Sequence, residues 1–210
     1  MRIEIISIRI LIFRGKNVIK DQKIIDLLKI LELDYIIGIH YPYIIPTKLL
    51  NLPKIGFLNL HPAYLPFNKG WNTPTWAIVD KTVYGATLHF MSEKLDEGDI
   101  IHQKKIDVYS YDTANTLYNR VLRIEEEVFY EAFDSLINLK PKRKKQSEKG
   151  TSYKKSDLKK IQEFSLDDNI KVEEFLNKLR ALTTNNQEEM AYYYDNNKKI
   201  GVRVKFFELD

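Results

Sequence analysis

The chain has 210 residues and no Cys, which excludes disulfides, thiolate metal sites and a thiol nucleophile. Hydrophobic residues make up 44% and charged residues 30%, the balance of a soluble globular protein with one ordinary core and a small appendage. A net charge of +4 does not require nucleic acid, and Met1–Phe13, broken by Arg2, Glu4 and Arg9, is too short and too charged for a membrane span or a signal peptide. A cytoplasmic protein without a membrane partner is the expectation.

Ile3 to Phe13 is rich in Ile and predicts a strand. Asp21 to Glu32 carries apolar residues at 24, 25, 27, 28, 30 and 31, a helical stripe. The β-branched run at 34–39 has the pattern of a buried parallel strand, Pro46 opens a short helix through Leu50, and Ile55 to Leu60 is another buried strand. The strand–helix–strand alternation argues an open α/β sheet, with His61 at its carboxyl edge, where such folds bind ligands. The loop 61–72 holds Pro62, Pro66 and Gly70 and is long enough to suggest a functional loop. Thr73 to Val79 reads as a helix with Thr73 as N-cap and Pro74 at its first position. Tyr84 to Met91 and Ile100 to Val108 read as strands. Thr113 to Leu139 reads as a long helix capped by Asp112 or Thr113, with Leu117, Val121, Ile124, Val128 and Ala132 as its apolar stripe.

At Lys140 the composition shifts to Lys, Ser and Gly, which sets a boundary between a domain over 1–140 and a small region over 141–210. That region reads as a solvated linker, a helix from Val172 to Leu182, and a hairpin. The hairpin's strands, Ala191 to Tyr194 and Ile200 to Phe207, flank an Asn-rich turn.

The chemistry concentrates in Asn59-Leu60-His61-Pro62 and in Asp96. An amide, an imidazole and a carboxylate can together move an acyl group without a metal or a covalent intermediate. The amide donates to a developing oxyanion, the imidazole carries a proton, and the carboxylate favours the imidazolium, raising its pKa. Taken singly, the His is a structural residue after a strand and the Asp a turn residue. His61, His89, His102 and Asp96 could also form a metal site, but His89 and His102 lack any tight supporting spacing. The basic run Lys140, Lys142–Lys145 could bind RNA, yet a solvated linker accounts for it better.

The ordered set of Asn59, His61, Leu65-Pro66, Gly70, Gly85-Ala86-Thr87-Leu88-His89, Asp96, Gly98 and Gln103 resembles the signature of the 10-formyltetrahydrofolate-dependent formyltransferases. This resemblance covers residues 33–130. Asn68-Lys69-Gly70-Trp71-Asn72 and Asp99-Ile100-Ile101 are similar to the branch that formylates nucleotide-linked amino sugars such as dTDP-4-amino-4,6-dideoxyglucose. The tail, more loosely, resembles the region through which that branch dimerises.

The resemblance implies a Rossmann-like formyltransferase sheet, 10-formyltetrahydrofolate as co-substrate, no metal, a nucleotide-sugar substrate, no nucleic acid and a homodimer. Asn59, His61 and Asp96 become the catalytic residues. The pterin is expected between His40-Tyr41-Pro42-Tyr43-Ile44-Ile45 and Ser92-Glu93-Lys94-Leu95-Asp96, so Tyr41, Pro42, Tyr43, Ile44, Ser92, Leu95 and Asp96 become the folate contacts. Substrate contacts fall to Asn68, Lys69, Gly70, Trp71 and His89, with Lys154 and Arg180 for the pyrophosphate; Trp76 is expected in the core. The product would supply cell-surface polysaccharide. The alternatives are a 3-amino sugar nucleotide or methionyl-tRNA as acceptor, and a folate- or nucleotide-sugar-binding protein without turnover. The front is short for this family, with 58 residues before Asn59 and, over residues 1–20, a lone Gly15 in place of a Gly-rich first loop. That absence would leave a sheet edge to be covered.

Overall fold

The computed structural model describes residues 8–14, 22–41, 43–147 and 149–209. The first half of the strand expected over 3–13, the lone Gly15 and the folate contact expected at Pro42 lie outside the described residues.

The elements run β1 (Ile10–Arg14), α1 (Gln22–Ile30), β2 (Tyr35–Ile39), α2 (Thr47–Leu50), β3 (Gly56–His61), β4 (Lys69–Gly70), α3 (Thr73–Val79), β5 (Tyr84–Phe90), β6 (Ile100–Ile106), α4 (Ala114–Ile137), β7 (Ser152–Tyr153), α5 (Lys159–Gln162), α6 (Val172–Ala181), β8 (Ala191–Asp195) and β9 (Lys198–Val202). The main sheet has the order β1-β2-β3-β5-β6. β1, β2 and β3 are parallel, and β5 lies antiparallel to β3 with Asn59 opposite His89 and His61 opposite Thr87. This is the α/β sheet that the alternation of Ile-rich runs with an amphipathic helix requires.

Contacts divide the chain into two compact units, one of residues 1–61, 87–103 and 125–147, the other of 62–86, 104–124 and 148–210. In the first, Ile25 and Leu28 of α1 pack with Ile36, Tyr41, Ile45, Leu49 and Phe57. In the second, Leu158, Leu179, Leu182 and Ala191 gather Phe164, Phe175 and Val202 around them.

Three local expectations change, and one of two alternatives resolves. Thr73 does not cap α3: Asn72, at φ 54°, takes that position, and Pro74 falls one residue further in. The Thr73 hydroxyl instead donates to the Pro62 carbonyl at 2.6 Å. Asn tolerates the left-handed backbone that a cap entered from this loop demands. At α4 the cap resolves to Thr113, whose Oγ1 accepts from the Thr116 amide at 3.2 Å. β9 spans 198–202, not 200–207, because Asn196 and Asn197, at φ 46° and 64°, close a two-residue turn that fixes the register at Asp195 opposite Lys198. The Lys-rich stretch does more than sit in solvent. Lys144 exchanges backbone hydrogen bonds with Ile100 at 2.8 and 2.9 Å. The Arg143 guanidinium donates to the Ile55 carbonyl at 3.1 Å and lies 3.5 Å over the Phe90 ring.

Candidate active site

Residues 59 and 61 of β3 share one face of the sheet by strand alternation, and the antiparallel register sets His89 of β5 directly across from Asn59. All four polar residues of this corner are buried: Asn59 is 2% exposed, His61 5%, His89 1% and Asp96 7%. His61 Nε2 stands 3.6 Å from Asp96 Oδ2, and His89 Nε2 stands 3.6 Å from Asp96 Oδ1. One carboxylate thus faces two imidazoles, whose rings are 6.2 Å apart and nearly perpendicular.

His89 Nδ1 is 2.8 Å from the Phe90 carbonyl, which can only accept, so that nitrogen carries a proton. In the neutral ring Nε2 is then the acceptor, and the Asn59 amide nitrogen approaches it at 3.4 Å. Asn59 Oδ1 is buried without a hydrogen-bond partner. Beside His61 and Asp96 this leaves an open acceptor within the polar corner.

Asp96 has φ 52°, a left-handed backbone that a short acidic side chain tolerates. Its loop folds back hard on β5. A Cβ on Gly98 would sit 1.8 Å from the Phe90 carbonyl oxygen, so glycine is required there. Gln146 holds the same loop, its Nε2 donating to the Asp96 and Gly98 carbonyls, both at 2.8 Å.

The segment after β2 divides by exposure. Tyr41 and Ile45 are 5% and 2% exposed and belong to the core, whereas Tyr43 and Ile44 are exposed. Tyr41 is therefore a packing residue, its ring edge-on to Tyr43 at 5.4 Å, and not the folate contact expected of it. Ser92 is likewise occupied, donating to the Lys94 carbonyl at 2.9 Å within a tight turn, while Leu95 is exposed. The Thr47 hydroxyl donates to Glu93 at 2.9 Å, which joins α2 to the 92–95 loop. At the end of β2, His40 has φ 50° and donates its amide to the Leu60 carbonyl. Its Nε2 meets both oxygens of Glu125, 3% exposed on α4, at 2.8 and 2.6 Å.

In the second unit the expected substrate residues separate. Asn68 is fully buried; its amide donates to Thr82 at 2.9 Å and its backbone N–H to Thr151 at 2.8 Å, so it holds the loop's shape instead of a ligand. Arg180 is 9% exposed, and its Nη1 donates to the carbonyls of Tyr109, Ser110 and Asp112 at 2.7, 2.5 and 3.3 Å while Nε donates to Asn177. That guanidinium, expected to meet the pyrophosphate, ties down the backbone ahead of α4. Lys69 and Gly70 form β4, paired with β7, Gly70 at φ 89°. Trp71 is 37% exposed with the Lys155 ammonium 5.5 Å from its ring, and Lys154 is exposed. Trp76 is buried and stacks on Tyr153 at 3.9 Å, as a core residue should.

Of the residues expected to be catalytic, His61 and Asp96 lie 3.6 Å apart, and Asn59 is buried two residues before His61 on the same strand. His89, expected on the substrate, is 1% exposed and has Asn59 at 3.4 Å and Asp96 at 3.6 Å. Sequence reasoning missed Gln146 and the His40–Glu125 pair. Glu125 left a signal: it lies four residues after Val121 and three before Val128, a polar residue on an apolar stripe.

A formyl transferase family model matches residues 13–133, and a model of an N-formyltransferase dimerization C-terminal domain matches residues 157–208. The dTDP-4-amino-4,6-dideoxyglucose formyltransferase of Mycobacterium tuberculosis is 29% identical over 171 residues, 81% of this chain and 72% of that protein. A sugar N-formyltransferase from a Shewanella species superposes with a TM-score of 0.83 at 26% identity, over 91% of this chain and 77% of the other. The formyltransferase PseJ of Anoxybacillus kamchatkensis, solved with UDP-4,6-dideoxy-4-formamido-L-AltNAc and tetrahydrofolate, superposes with a TM-score of 0.62 at 27% identity, over 82% and 97% of the two chains. With the family model spanning more than half of its residues, this chain belongs to the formyl transferase family.

Proposed function

We propose that this protein transfers a formyl group from 10-formyltetrahydrofolate to the amine of a nucleotide-linked amino sugar, with dTDP-4-amino-4,6-dideoxyglucose as the foremost candidate. The observation that carries the reading is the buried corner of Asn59, His61 and Asp96, in which one carboxylate faces the His61 and His89 rings at 3.6 Å. The kinship to sugar formyltransferases supports the acceptor.

The uncharged sugar amine attacks the formyl carbon, forming a C–N bond and a tetrahedral oxyanion. One hydrogen of the Asn59 amide faces His89 and the other is available to the oxyanion; protonated His61 supplies a second donor. Asp96, between the two imidazoles, stabilises the positive ring and accepts the surplus amine proton, directly or through a water. A proton then reaches the folate nitrogen as its bond to the formyl carbon breaks. The products are the formamido sugar and tetrahydrofolate.

The exposed Tyr43, Ile44 and Leu95 are the apolar groups suited to cover a pterin. Trp71, Lys69 and Lys154 remain the candidates for the nucleotide. Residues 1–140 would carry the reacting side chains, and within the small region 141–210 the part at 157–208, which the dimerization model matches, would pair two copies in the cytoplasm. Among the described residues, no helix is long and apolar enough to cross a membrane.

The test is formyl transfer to dTDP-4-amino-4,6-dideoxyglucose, scored by tetrahydrofolate release, beside His61→Ala. Product from the parent and a loss of about 10²-fold or more in the variant are expected. Binding of both ligands without tetrahydrofolate release would instead identify a non-catalytic binding protein.

A further inference from the structure

Gln146 stands in the Lys-rich stretch, yet its amide reaches back to the loop that carries Asp96. A primary amide has two hydrogens, and both are used, one on the Asp96 carbonyl and one on the Gly98 carbonyl, each at 2.8 Å. Gln146 is itself held. Two residues earlier Lys144 is paired with Ile100 through two backbone hydrogen bonds, so the main chain delivering Gln146 is anchored to the start of β6.

The loop needs such a hold. Asp96 occupies a left-handed backbone, and Glu93, Lys94, Leu95 and Glu97 around it are exposed and contribute little packing. The Ser92 turn fixes the loop's entry and the Gly98 approach to Phe90 its exit. Between them Gln146 grips the main chain of Asp96 itself. We propose that Gln146 is a positioning residue for formyl transfer: by holding the Asp96 and Gly98 carbonyls together it aims the carboxylate between His61 and His89. The proposal rests on the formyl-transfer reading. Its main consequence is on the chemical step, because a carboxylate displaced by about 1 Å loses about 10²-fold in rate.

The test uses the full chain with Gln146→Leu, similar in size and lacking donors, and Gln146→Glu, of the same shape with only acceptors facing the two carbonyls. Turnover is expressed per folate site, titrated with 5-formyltetrahydrofolate, so that misfolded molecules are not counted. Both variants are expected to lose about 10–100-fold in kcat with KM for the amino sugar within about twofold of the parent. In an Asp96→Asn background the Gln146→Leu change should cost less than about twofold more, since its effect passes through the Asp96 carboxylate. Parental kcat in either variant, or an equal penalty in both backgrounds, overturns the role of Gln146 while leaving formyl transfer standing. A parent that neither binds 5-formyltetrahydrofolate nor transfers formyl overturns both.

Discussion

In the corner formed by Asn59, His61, His89 and Asp96, polar atoms face one another at 3.4–3.6 Å and Asn59 Oδ1 has no partner. Around Arg180 and Asn68, equally hidden from solvent, the donors reach their acceptors at mostly 2.5–2.9 Å. The difference separates two uses of a buried polar group. A fully engaged group stabilises the fold, and breaking it exposes carbonyls that nothing else satisfies. An acceptor left open, as Asn59 Oδ1 is, keeps hydrogen-bonding capacity that a bound molecule can use.

The sharpest way to break this contrast is to truncate one residue from each set. Asn59→Ala is expected to lower kcat by about 10²–10³-fold with little change in thermal midpoint, measured by initial rates and calorimetry on the same preparation. A large loss of stability there would place Asn59 with the structural set. Arg180→Ala should behave in the opposite way, losing about 2–4 kcal/mol in urea unfolding while molecules that remain folded keep their turnover. Asn68→Ala should follow it with about 1–3 kcal/mol. A selective rise in KM for the nucleotide sugar in Arg180→Ala would return that residue to the substrate.

A smaller effect tests the structural set by pH. Burial, and then its hydrogen bond to Asp80, push the Tyr153 hydroxyl above the ordinary 10.0. A raised folded pKa means that this contribution to stability is complete below about pH 10 and is lost as pH climbs toward the folded value. The thermal midpoint should therefore begin to fall above about pH 10, and Tyr153→Phe should flatten that fall. An unchanged alkaline slope in the variant would show that other groups cause it.

The parts of the site that could be read from the chain are those whose chemistry is local. Asn59 and His61 are two residues apart on one strand, so periodicity alone sets them on one face. Asp96 was reachable only through the ordered motif set that resembles the formyltransferase signature, since nothing local ties it to His61. Gln146 was not, since its contacts lie 48 and 50 residues away in sequence and composition marks its neighbours only as charged. Arg180 was assigned to a ligand because a cation on an amphipathic helix gives no sign of which carbonyls it will meet; those belong to a segment about 70 residues earlier. The Lys144–Ile100 pairing was invisible for a different reason: it is made by main-chain groups, which every residue type carries.

That Gln146 grips carbonyl oxygens and not side chains also bears on how this family can diversify. A loop whose shape is held through its main chain places few demands on the identity of an exposed residue such as Lys94. Such a position can drift, or be varied by design, while the carboxylate next door stays aimed. Evolvability at the rim and constancy at the reacting centre would then come from one amide on a stretch of chain that composition alone would pass over.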